Sequence, residues 1–138
     1  MLEDVRSSNL NNQLLKIDYL SHSDAIKKQR TSQVLLLLIN DSHNAKGILT
    51  GKFFEYLAAK RPVLGVGPTD GDAASVLQET GGGVMVGFYD EIATKRKILD
   101  YYARYKSNTL NVQSGSVEQY SRKSLTGELA LLLNTLIN

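Results

Sequence analysis

The sequence predicts an α/β domain of the Rossmann-like three-layer type, with a small parallel sheet flanked by helices. Three observations predict it. Val34 to Ile39 is six apolar residues without alternation, the pattern of a strand covered on both faces. Val63 to Gly67 is a second apolar run, preceded by Pro62 and stopped by Pro68. Around these runs lie segments of helical periodicity joined by short polar loops. Strands alternating with helices imply parallel strands and right-handed crossovers.

The elements follow in order. Residues 1–13 are polar and Asn-rich and are expected to be a flexible connector, with the domain proper spanning 14–138. Leu14 to Leu20 is apolar and partly alternating, which predicts a strand. Ser21 with Asp24 resembles a capping box for a helix to about Gln29 or Thr31 that buries Ala25 and Ile26. After the Val34 strand, Asn40 to Gly47 is a polar loop. Thr50 caps a helix to Lys60 with Phe54, Leu57 and Ala58 inward. Val63 to Gly67 is the next strand. Thr69 or Asp70 caps a helix to Glu79, stopped by Gly81, Gly82 and Gly83. Val84 to Phe88 completes four strands. Asp90 caps a helix to Tyr105 with Ile92, Ile98, Leu99 and Tyr102 as core candidates. After a loop over 107–116, a last helix from Val117 to Leu136 carries Leu125, Leu129, Leu132, Leu133 and Leu136 as a core or docking stripe.

Composition narrows the function classes. A length of 138 residues is normally one domain, and 42% hydrophobic with 22% charged residues is ordinary for a soluble globular protein. A net charge of +2, with basic residues spread along the chain and no Trp, argues against a nucleic-acid partner. No cysteine is present, so thiolate metal sites and a Cys nucleophile are excluded. No apolar run approaches the ~20 residues of a membrane span, and the N-terminus lacks the pattern of a signal peptide. The expected setting is cytoplasmic, with peripheral contact to the inner membrane left open for a full-length protein.

The chemistry concentrates between Asn40 and Asp72. A helix that starts near Thr50 offers backbone N–H groups around Gly51, Lys52 and Phe53, and their partial positive charge favours an anion. Gly51 admits a ligand close to the backbone, and Lys46 and Lys52 add full charges. Glu55, a turn along and leaning back toward the helix mouth, would repel a diphosphate but suits sugar hydroxyls. A diphosphate carrying a ribose satisfies both groups. The same residues also describe an ordinary helix start with a solvated glutamate.

The segment TGKFFEYLAAKRPVLGVGPTDGDA resembles the donor-binding half of glycosyltransferases with the GT-B fold, which use nucleotide-diphosphate sugars. The matching residues are Gly51, Lys52, Glu55, Tyr56, Leu57, Ala58, Pro62, Val63 and Leu64, then Gly67, Pro68, Asp70, Gly71, Asp72 and Ala73. Lys60 departs from the pattern, since a glycine is common there. The resemblance implies that Glu55 holds ribose hydroxyls and that the backbone at Gly51 and Lys52 meets the diphosphate. The donor site is expected at Gly51, Lys52, Glu55, Lys46, His43, Asp70 and Gly71, with no catalytic residue, cofactor or metal in this chain. In that fold the acceptor site and catalytic base belong to an N-terminal domain. The chain is expected to be a fragment lacking that domain and inactive alone.

Asp70 and Asp72 could hold a divalent cation, or could serve a helix start. His43 follows the most apolar strand on the edge where ligands of α/β sheets sit, whereas His22 lies at a helix start. A non-enzymatic flavodoxin-like or receiver-like module is the alternative, with Asp41 as its nearest phosphoacceptor candidate. It lacks the lysine that should end the last strand.

Overall fold

A computed structural model describes residues 2–112 and 117–137. The chain runs α1 (Leu2–Ser7), α2 (His22–Thr31), β1 (Leu35–Leu38), α3 (Gly51–Ala58), β2 (Val63–Val66), α4 (Asp72–Thr80), β3 (Gly83–Val86), α5 (Glu91–Lys106) and α6 (Arg122–Ile137). Single 3-10 turns occupy Asn11–Gln13, Ala45–Gly47 and Val117–Tyr120. The strands form a parallel sheet in the order β1-β2-β3, with Leu35 opposite Val63 and Val63 opposite Gly83.

The sheet separates two cores. One face carries Leu35, Leu37, Ile39, Val63 and Met85 against Phe53, Tyr56 and Leu57 of α3 and Ala73, Val76 and Leu77 of α4. The other carries Leu64 and Val86 against Tyr101 of α5 and Leu110. Helices on both faces of a parallel sheet give the expected α/β three-layer arrangement.

Several expectations are corrected. Leu14 to Leu20 forms no strand; it stays exposed apart from a half-buried Leu20, with Leu15 and Tyr19 among its barest side chains. Alternation makes a segment suitable for a sheet, but a strand exists only with a neighbour to bond. The sheet therefore has three strands among the described residues, not four. β1 is covered on one face only: Leu36 and Leu38 are 52% and 64% exposed, because α5 lies over β2 and β3. The buried face of α3 is Phe53, Tyr56 and Leu57, while Ala58 points outward and Phe54 is half-buried. In α5 the one buried side chain is Tyr101; Ile92, Ile98, Leu99 and Tyr102 are exposed. The leucines of α6 are also exposed and form no part of either core. Residues 113–116 of the expected loop lie outside the described residues.

Helix ends follow local chemistry closely. The Ser21 hydroxyl accepts from the Asp24 N–H at 3.2 Å, and Asp90 accepts from the Ala93 N–H at 2.8 Å. Gly81 closes α4 at φ 60°, a left-handed position that glycine occupies at no steric cost. Lys60, just past α3, sits at φ 55° with a side chain in place.

Candidate functional site

All three strands release their loops at one edge. Together these loops wall a cleft of about 590 Å³, lined by Asp41, His43 and Lys46 after β1, Thr69 and Asp70 after β2, and Phe88 after β3. The carboxyl edge of a parallel sheet is where such folds place ligands. His43, Lys46 and Asp70, expected from the sequence, come together here.

Two contacts cross between loops. The Lys46 ammonium reaches the Asp70 carboxylate at 2.6 Å, and this hydrogen bond holds the Asp70 carboxyl below its ordinary range. Asp70 does not cap α4 as expected. Gly71 takes the cap position without any side-chain bond, and Asp72 provides the negative charge of the first turn. A Cβ at Gly71 would stand 2.8 Å from the Lys46 carbonyl oxygen, so glycine lets the two loops meet. At the far side the Tyr89 hydroxyl donates to Asp41 at 2.8 Å, which raises the tyrosine pKa above its usual value.

Gly51, Lys52 and Glu55 do not line this cleft. They belong to the mouth of α3, whose cap Thr50 accepts from the Phe53 N–H at 3.3 Å. Thr50 borders a smaller hollow of about 100 Å³ with Leu38, Asn40, Ile48 and Phe53. Gly51 is exposed, with nothing within 4 Å of where its Cβ would sit. The Lys52 ammonium lies 5.3 Å from the centre of the Tyr56 ring. Glu55 is half-buried and accepts from Gln29 Nε2 of α2 at 3.2 Å. The seven candidate residues thus fall into two groups, joined by the loop that runs from Asn40 to Thr50.

Sequence reasoning missed Gln29 and Tyr89 as partners, and weighed Asp41 only as a phosphoacceptor. Gln29 and Tyr89 act across 26 and 48 residues of chain, and no local pattern marks such pairs. Among the described residues no three His, Cys, Asp or Glu side chains gather as metal ligands would. No helix of the described residues is long and apolar enough to cross a membrane. Comparisons with protein-family models, curated proteins and solved structures found no match to this chain.

Proposed function

We propose that this chain is the donor-binding part of a GT-B glycosyltransferase, binding a nucleotide-diphosphate sugar and lacking the acceptor domain that completes the reaction. The mouth of α3 is the observation that carries the reading. Gly51 leaves backbone N–H groups approachable, and Glu55 stands a turn along, oriented by Gln29. The diphosphate lies against Gly51 and Lys52, and the Glu55 carboxylate accepts from the ribose hydroxyls. The sugar then extends over the loop of His43 and Lys46. The strand order β1-β2-β3 contains no reversal, so these strands hold no topological switch point of their own. The chain supplies one wall of the site, and the acceptor domain supplies the other. Such a part works in the cytoplasm, where nucleotide sugars are made, and transfers no sugar alone.

An NMR titration with UDP, GDP and ADP tests this. Amide shifts are expected at Asn40 to Glu55 and in the loop after β2. Glu55→Ala is expected to weaken nucleotide binding about tenfold, the size of one charge-assisted hydrogen bond. Inorganic pyrophosphate, which has no ribose, should lose no affinity for Glu55→Ala and should gain slightly at low salt, because the carboxylate that repels it is gone. Shifts scattered over the surface, or an equal loss for pyrophosphate, would refute the assignment.

A further inference from the structure

Five of the six leucines of α6 lie along one side of the helix, yet no core covers them. Leu125, Leu129, Leu132, Leu133 and Leu136 are between 47% and 75% exposed, and at helical spacing they form a single stripe. Leu125, Leu129, Leu132 and Leu136 are separated by four, three and four residues, the a and d spacing of a coiled-coil seam. That spacing reads the same from either end. A two-fold axis passing between Leu129 and Leu132 sets Leu125 of one helix against Leu136 of the other, and Leu129 against Leu132.

We infer that α6 pairs antiparallel with α6 of a second copy of this chain. Charge favours that direction. Arg122 and Lys123 stand at the amino end, and no charged residue follows Glu128. Antiparallel pairing brings these cations to the carboxyl end of the other helix, where the helix dipole is negative. Parallel pairing would crowd four cations together. Leucines this bare on two helices would bury on the order of 1,000 Å² in total, the lower limit for a specific interface. The dimer is therefore weak and concentration-dependent. Leu131, 68% exposed and on the opposite side, stays in water.

Sedimentation velocity on the full chain, over concentrations bracketing a roughly micromolar to millimolar Kd, tests the pairing. The mass should rise from monomer to dimer. Leu129→Glu should remain monomeric with unchanged helicity, because α6 contributes to neither core, whereas Leu131→Glu should dimerise normally. The chain has no native cysteine, so mixed Leu125→Cys and Leu136→Cys variants should oxidise to a disulfide joining one of each. A mass that stays monomeric throughout would overturn the inference. So would equal loss of dimer in Leu129→Glu and Leu131→Glu, or preferential Leu125–Leu125 disulfides. Uptake of a monomeric chain by anionic vesicles would assign the stripe to a lipid surface instead.

Discussion

The Lys46 ammonium lies 2.6 Å from the Asp70 carboxylate and ties the loop after β1 to the loop after β2. Both side chains are about two-thirds exposed, so water and salt screen the pair and it adds little to stability. What stability it adds depends on ionised Asp70. The lowered carboxyl pKa means that the contribution is present above the ordinary carboxylate pKa and is lost as pH falls through the lowered value. Asp70 also occupies Lys46, the one lysine or arginine among the described residues that lines the cleft. Asp70→Asn should leave the urea midpoint at pH 7 nearly unchanged. It should tighten the binding of inorganic phosphate in the cleft severalfold at low salt, and the gain should fade as salt rises. Calorimetric titration at two ionic strengths measures both effects; weaker binding would mean that Asp70 positions Lys46 rather than competing for it.

Lys60 holds a left-handed backbone at φ 55° immediately after α3, with its N–H donating to the Leu57 carbonyl at 3.1 Å. A side chain in that conformation costs about 1–2 kcal/mol, offset in part by the greater freedom glycine has when unfolded. Lys60→Gly should therefore stabilise the chain by about 0.5–1 kcal/mol in urea denaturation. No gain, or a loss, would show that the Lys60 side chain itself contributes to the native state.

Tyr101 is the one buried side chain of α5, and its hydroxyl donates to the Val63 carbonyl at 3.3 Å. Burial raises its pKa above the ordinary tyrosine value of 10.0. A raised folded pKa gives a contribution that is complete below the unfolded value and is lost as pH rises through the folded one. Wild type should lose stability above about pH 10, and Tyr101→Phe should lose less over the same range. At pH 7 the variant should be weaker by about 0.5–1.5 kcal/mol, the cost of one hydrogen bond. Urea midpoints from neutral to alkaline pH give the comparison, and parallel curves would contradict it.

Much of the fold was legible because it is set by neighbours in sequence. Ser21, Thr50 and Asp90 cap helices within three residues of themselves. The apolar runs at Leu35 and Val63 became parallel strands. The buried faces were read less well. Phe53 and Tyr56, rather than Ala58, turn inward from α3, and Tyr101, rather than Ile98 or Leu99, from α5. Every position on an apolar-rich helix satisfies some periodicity, and the angle at which the helix meets the sheet chooses among them.

By itself the sequence determined the strand–helix alternation, the caps and the polar loops at the sheet's carboxyl edge, since each depends on propensities and bonds within a few residues. Tertiary structure alone decided that Leu14 to Leu20 joins no sheet among the described residues, that β1 keeps Leu36 and Leu38 bare, and that His43, Lys46 and Asp70 share a cleft while Glu55 turns to Gln29. Those outcomes rest on which segments meet across tens of residues, and burial and pairing are properties of the meeting rather than of either segment.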